Sequence, residues 1–230
     1  MDKNNARKQI GKPNLIICEG TDDILFILQF LEYLKKTDVL PINHNFQAFE
    51  CGGNDGLAKF LKGLPNYPGY DYVKSIIIIR DAEKDHERAM QEIKRHLENS
   101  GFPIPAKPRE IAAGTTRHEL PKNILVAFSL FPTLSDKPEN GTIEDLLIKN
   151  LKHQRADDLV AEINTFMEKL QSDGRIFTWP HKSRLHTYFS LENDFVSKKI
   201  GEAAKANAFN FDCEAMNYLK DLLLDISARA

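Results

Sequence analysis

The sequence has almost no excess of charge of either sign. Over 230 residues, 31 Lys+Arg stand against 33 Asp+Glu, a formal net charge of −2. That balance excludes a histone-like or broadly polycationic binder, because no global positive field exists to hold a duplex; a local basic groove is still allowed. Cysteine is scarce as well. Cys18, Cys51 and Cys213 are an odd number without the close spacing of a zinc site, and two of them sit in apolar runs, as small buried residues of a reduced protein do. No apolar run reaches the roughly 18 residues needed to span a membrane. The polar start MDKNNARKQIGKP lacks the apolar centre of a signal peptide. Internal repeats and low-complexity tracts are missing too. Together these absences predict a soluble, cytoplasmic protein with no membrane association.

What is present suits a folded α/β protein. With 42% hydrophobic and 28% charged residues, the chain is not intrinsically disordered. Its length allows one large domain, or one domain with an appendage. After a polar arm over residues 1–13, Asn14–Cys18 reads as a buried strand, and Ile24, Ile27, Leu28, Leu31 and Leu34 predict a helix over about 22–36. Phe46–Glu50 is a second strand closed by Gly52-Gly53, with Leu57, Phe60, Leu61 and Leu64 on a short helix behind it. Ser75–Arg80, with four consecutive isoleucines, suits a central strand covered on both faces. A helix marked by Ala89, Met90, Ile93 and Leu97 ends at Gly101. The proline-containing stretch 102–122 reads as a loop or insertion, and Asn123–Phe131 as the fourth strand. A helix opens at Thr142. Beyond residue 150 the pattern predicts a helical extension over 151–230, with helices marked by Leu159–Leu170, by Phe195, Val196, Ile200 and Ala204, and by Met216–Ile226. Strands alternating with helices over 14–150 imply a Rossmann-like, mainly parallel sheet of about four strands flanked by helices.

In such a sheet the parallel strands end on one edge, and sites form in the crevice there. Strand one is followed by Glu19-Gly20-Thr21-Asp22-Asp23, strand three by Asp81-Ala82-Glu83-Lys84-Asp85, and strand four by a loop leading to Glu144-Asp145. Three strand ends therefore bring acids to one edge. Ionised carboxylates crowded in a partly dry crevice repel one another unless a cation compensates. Oxygen donors without His or Cys pairs point to Mg²⁺ or Mn²⁺, and a carboxylate-held ion suits phosphoryl chemistry. Several of these acids also have a purely structural explanation. Asp22, Asp23 and Asp85 favour the first turn of a helix, and Thr142-x-x-Asp145 fits a capping box. Glu19 and Asp81, each at the end of an apolar run, have no such explanation.

These residues resemble a known family. Leu15-Ile16-Ile17-Cys18-Glu19-Gly20 with Asp23, then Ile76–Ile79 with Asp81-Ala82-Glu83, look like the two signature motifs of the TOPRIM domain. That domain occurs in type IA and type II topoisomerases, bacterial primases, OLD-family nucleases and the ribonuclease that matures 5S rRNA. Gly52-Gly53-Asn54 with Leu57 resembles the turn after the second TOPRIM strand. Gly141-Thr142-Ile143-Glu144-Asp145-Leu146 is similar to the acidic segment of small stand-alone and OLD-like bacterial members. The resemblance spans residues 14–148, and it departs from the Asp-x-Asp pattern where Glu83 stands for the second aspartate. It implies Mg²⁺-dependent making or breaking of phosphodiester bonds. Glu19 would be general acid/base or metal ligand, Asp81, Glu83 and Glu144 would be metal ligands, and Gly20, Asp23, Asp85 and Asp145 would support them. Without an ATPase region, a topoisomerase tyrosine domain or a primase zinc domain, a nuclease or phosphodiesterase fits best. A homo-oligomer or a separate ATPase partner is the expected companion.

Between Gly174 and Ser190 there is no acid, while Arg175, Lys182 and Arg184 alternate with Phe177, Trp179, Tyr188 and Phe189. Basic groups neutralise phosphates and aromatic faces stack on bases, so Arg175, Trp179, Lys182 and Arg184 are candidates for binding RNA or DNA. A loop packed on the core with its aromatics buried is the alternative. Lys182 is also a candidate for stabilising the transition state of phosphoryl transfer. Lys198, Lys199 and Lys205 read as a solvated helix face. Two other functions remain open: a TOPRIM-like module that binds a nucleotide or partner without chemistry, and a phosphoacceptor domain using Asp22, Asp23 and Asp81.

Overall fold

A computed structural model of the chain describes residues 9–39, 45–132, 138–152 and 156–230. Most of the expected arm, residues 1–8, lies outside them, as do residues 133–137 of the loop before Thr142. The β-branched and apolar runs form one sheet from β1 (Asn14–Cys18), β2 (Phe46–Glu50), β3 (Ser75–Asp81), β4 (Ala112–Thr115) and β5 (Asn123–Phe131). The strand order is β2-β1-β3-β5-β4. β1, β2, β3 and β5 run parallel, and β4 is an antiparallel edge strand on β5. The fold is thus Rossmann-like α/β, with five strands where the sequence predicts about four. The added strand lies within 102–122, expected to be a loop or insertion. Ala-Ala-Gly-Thr carries neither the β-branched content nor the alternation that marks a strand, so pairing with β5 determines it.

Helices α1 (Thr21–Lys36), α2 (Gly53–Gly63), α3 (His86–Asn99), α4 (Ile143–Ile148), α5 (Ala156–Ser172), α6 (Pro180–Leu191), α7 (Ile200–Lys205) and α8 (Glu214–Arg229) cover both faces. Alternation along the strands sorts the core into two halves. Leu15, Ile17, Ile76 and Ile78 pack with α2 and α3. Ile16, Cys18, Ile77 and Ile79 pack with α1 and the C-terminal helices. All four isoleucines of β3 are at most 1% exposed, each contributing about 1.5–3 kcal/mol by burial. The helical extension therefore completes the core on one face of the sheet.

Two expectations for that extension need correction. The basic-aromatic stretch is a loop only as far as Trp179: Pro180 at the first helical position opens α6, whose Leu185, Tyr188 and Phe189 are buried at helical spacing. The helix expected from Phe195 to Ala204 begins only at Ile200. Phe195 and Val196 lie in turns before it, and Ser197 takes a left-handed backbone conformation. α7 then lies so close to α1 that a Cβ on Gly201 would fall 2.2 Å from Leu25 Cβ. Of the cysteines, Cys18 is fully buried and Cys51 and Cys213 are half-buried.

Candidate functional site

The strand order reverses direction between β1 and β3, since the chain passes from β1 outward to β2 and then returns to the far side of β1. Crevices form at the carboxyl end of such a switch point. Here an open cleft of about 700 Å³ lies there, lined by acids from five elements. Glu19 follows β1, Asp22 and Asp23 open α1, Asp81 ends β3 with Glu83 two residues on, and Glu144 lies in the first turn of α4. Lys182 and His186 of α6, with Lys199 and Glu202 around α7, form the other wall.

Local structure fixes each acid. The Glu19 carbonyl accepts the amides of Gly52 and Gly53 at 3.1 and 3.2 Å. Both glycines have left-handed φ near +79°, which suits the turn that delivers those amides. Beyond β3, Glu83 also takes a left-handed φ and exchanges two backbone hydrogen bonds with Gly141, both 2.7 Å, so the ends of β3 and of the loop into α4 are tied together. The Ile143 amide donates to Asp81 Oδ1 at 2.8 Å, and the Gly20 amide to Asp23 Oδ2 at 3.0 Å. Arg80, buried at the end of β3, donates through Nε to Glu19 Oε1. Glu144 is 4% exposed; Lys182 Nζ lies 3.9 Å from its Oε1, while its buried Oε2 has no hydrogen-bond partner.

The carboxylates act on one another. Burial, helped by the charges of Asp23, Glu144 and Glu19, raises the pKa of Asp81 well above the usual carboxylate range. Burial likewise pushes Asp23 up to about 6, with Glu19, Glu144 and Asp22 adding to the rise against the Gly20 hydrogen bond. Glu19, Asp23, Asp81 and Glu144 are thus brought together. Glu83 lines the same cleft, but its charge is not among those that bear on Asp81 or Asp23.

The remaining expected site residues divide. Asp85 caps α3 by accepting from the Arg88 amide at 3.0 Å, and Asp145 caps α4 by accepting from the Thr142 amide at 3.0 Å. Neither lines the cleft. Arg184 pairs with Asp145 at 3.6 Å, and Trp179 stands 55% exposed at the N-cap of α6 with Lys182 Nζ 5.7 Å from its ring centre. Arg175 is exposed in the connection from α5 and lies away from the cleft. Sequence reasoning gave no role to Arg80, His186 or Glu202, and left Lys199 as a solvated lysine. A basic residue at a strand's end reads as its edge, and the α6 and α7 residues meet the acids only through tertiary packing.

No curated protein matches the sequence. Two solved structures are similar to this chain: the C-terminal region of the OLD protein of Xanthomonas campestris pv. campestris phased with mercury, and the same region phased with platinum. They are 13% and 14% identical to this chain, with TM-scores of 0.49 and 0.45, and the alignments cover 95% of this chain and 98% of each of those. Among the described residues, no helix is long and apolar enough to cross a membrane. A family model matches residues 13–227, nearly the whole chain, and the protein belongs to that family, described as protein of unknown function DUF3226.

Proposed function

We propose that this chain is a divalent-metal-dependent nuclease or phosphodiesterase that acts on nucleic acid through a TOPRIM-type acidic cluster. One observation carries the reading: Glu144 is buried with an oxygen that has no hydrogen-bond partner, in a cleft shared with Asp81, Asp23 and Glu19. A buried acceptor left unsatisfied is costly, and a cation is the group that satisfies it while relieving the mutual repulsion of its neighbours. The donors are carboxylate oxygens, which suits Mg²⁺ or Mn²⁺. Among the described residues, no three ligating side chains already converge on one point. Each carboxylate answers instead to a donor of the protein: Glu19 to Arg80, Asp23 to Gly20, Asp81 to Ile143, and Glu144 to Lys182. Asp81 and Glu144 would hold the ion, with Glu83 and Asp23 beside them, in exchange for some of those contacts.

A bound ion of this kind neutralises charge that develops on phosphoryl oxygens. The chain's own groups divide the remaining work. Glu19, which lines the cleft, takes up or returns the proton of the attacking or leaving oxygen. Lys182 presents its ammonium to the phosphate from the α6 wall, and the exposed ring of Trp179 offers a face for base stacking. The likeness of residues 14–148 to the TOPRIM motifs supports the same assignment. The test incubates the full chain with labelled single- and double-stranded RNA and DNA in Mg²⁺ or Mn²⁺, with EDTA, Glu19→Gln and Asp81→Asn controls. Cleavage that needs the metal and is lost in both variants is expected. Metal-independent cleavage, or equal activity in Glu19→Gln, overturns the assignment. The lack of a ready-made ligand triad favours a second reading, a nucleotide- or partner-binding module without chemistry; nucleic-acid binding without cleavage in any metal identifies it.

A further inference from the structure

Three residues beyond Glu83, His86 opens α3 and lines a second cavity, of about 210 Å³, that shares no lining residue with the acidic cleft. Met90 of α3, Pro108, Pro138 and Tyr218 of α8 form most of the rest of its wall. The charged side chains that line it, Glu87 and Lys107, are of opposite sign, so the cavity favours neither an anion nor a cation. His86 is 6% exposed, and its Nε2 is buried without a hydrogen-bond partner. Burial lowers its pKa against the charges of Glu87 and Asp85, so the ring is neutral at pH 7 and Nε2 either donates or accepts one hydrogen bond. Tyr218 is held by the Arg109 guanidinium, 3.6 Å from its ring centre, and gives the cavity a fixed aromatic surface. The His86 amide donates to Asn140 Oδ1 at 2.9 Å, next to the Glu83–Gly141 pair, so the same two connections position cavity and cleft.

We propose that this cavity is a base pocket: it receives one unpaired nucleobase of the strand whose phosphate enters the acidic cleft, with the base packed on Tyr218 and an edge atom hydrogen-bonded to His86 Nε2. The inference rests on the nucleic-acid reading above and deepens it by naming an unpaired strand as the substrate. A nucleobase suits the wall, being uncharged and flat, with apolar faces and a polar edge that offers both donors and acceptors. Bonding that edge satisfies a buried nitrogen that is otherwise costly. Position agrees with this. His86 stands three residues along the chain from Glu83, at most about 11 Å, so one strand reaches both cavity and cleft. A base inside a duplex has its polar edge paired and its faces covered, so the occupant comes from a single strand, a loop or a frayed end.

The test measures fluorescence anisotropy of short labelled oligonucleotides on the full chain in Ca²⁺: a single strand, the same strand with abasic sugars, and the matching duplex. Wild type is expected to bind the base-bearing single strand about 5–150-fold more tightly than the abasic one, the range for one stacked base, and more tightly than the duplex. Tyr218→Ala removes the aromatic surface and Met90→Trp fills the cavity. Each, checked for folding by circular dichroism, is expected to lower that ratio at least about fivefold with abasic affinity unchanged. In wild type, the NMR resonance of His86 Nε2 is expected to shift when the base-bearing strand binds and to stay in place with the abasic one. An unchanged ratio in either folded variant, or a His86 resonance that the base does not move, overturns the base pocket while leaving nucleic-acid binding in place. Should neither variant fold, the resonance decides the question. No binding of any strand overturns the nucleic-acid reading itself, and binding of free adenosine or uridine without any strand overturns the proposal in favour of a nucleoside site.

Discussion

Replacing Asp23 by Asn should make the metal-free protein more stable, and only above mildly acidic pH. Asp23 sits in the first turn of α1, where its Oδ2 accepts the Gly20 amide; asparagine keeps an oxygen for that bond and loses the charge. Burial and three neighbouring carboxylates raise its pKa from the ordinary 3.8 to about 6. The folded state therefore holds a proton that the unfolded chain releases. The stabilisation this gives is complete below about pH 4, and it is lost as pH rises through about 6. Above that, wild type has an ionised carboxylate in an unfavourable place. At about 1.4 kcal/mol per tenfold change in proton affinity, the rise corresponds to about 3 kcal/mol. Water in the open cleft screens part of it, which leaves about 1–2 kcal/mol for the variant to recover. In a chain of this length that is a rise in Tm of about 2–8 °C. Thermal and urea unfolding in EDTA at pH 7.5 and pH 4 measure it. A lower Tm for Asp23→Asn at pH 7.5, or the same gain at both pH values, would refute the electrostatic account.

Lys182→Ala should lower metal-dependent turnover by about 10²–10³-fold, as expected for loss of a charge aimed at the transition state, with Mn²⁺ still bound; unchanged kcat removes Lys182 from the chemistry. Gly201→Ala should destabilise the fold by about 1–3 kcal/mol in urea unfolding, because its Cβ meets Leu25 and α7 must shift away from α1. Asp145→Ala removes the cap of α4 and should cost about 0.5–2 kcal/mol while leaving the Mn²⁺ count at its wild-type value; a lost ion would make Asp145 a ligand.

Much of the sheet could be read before the fold was known. β1, β2 and β5 have the limits that their apolar runs predict, and β3 is one residue longer because Asp81 still pairs with Phe131. β1 and β3 are buried along almost their whole length and β5 along most of it, so their apolar runs are continuous and their boundaries sharp, while β2, an edge strand with Gln47 and Glu50 less buried, is delimited by Phe46 and Gly52-Gly53. The acids of the cleft were legible for the same reason, since a carboxylate directly after such a run has little else to do. β4 was not legible, because Ala112–Thr115 gains its strand character only from its neighbour. α6 was hidden by composition: its twelve residues include Pro180 and four aromatic or imidazole rings, which weakens a helical pattern carried by Leu185, Tyr188 and Phe189. The Arg80–Glu19 contact escaped because it depends on which face of β3 Arg80 points to and on what stands opposite, Glu19 being 61 positions away. The separation of capping from cleft acids also needed the structure, since Asp23 and Asp145 occupy the same first-turn position of their helices and only one lines the cleft.

The cleft has walls from opposite ends of the chain, and this bears on how the protein is made. Synthesis delivers the N-terminal part first. The sheet and its carboxylates are thus complete by about residue 150, while Lys182 and Lys199, together with the other helices of one face, are still to come. Until then that face is covered only by α1 and α4, and the acidic edge has Arg80 as its built-in cation. Fragments that stop before α6 should accordingly aggregate rather than accumulate as folded half-proteins, so the cell receives either the complete cleft or no cleft.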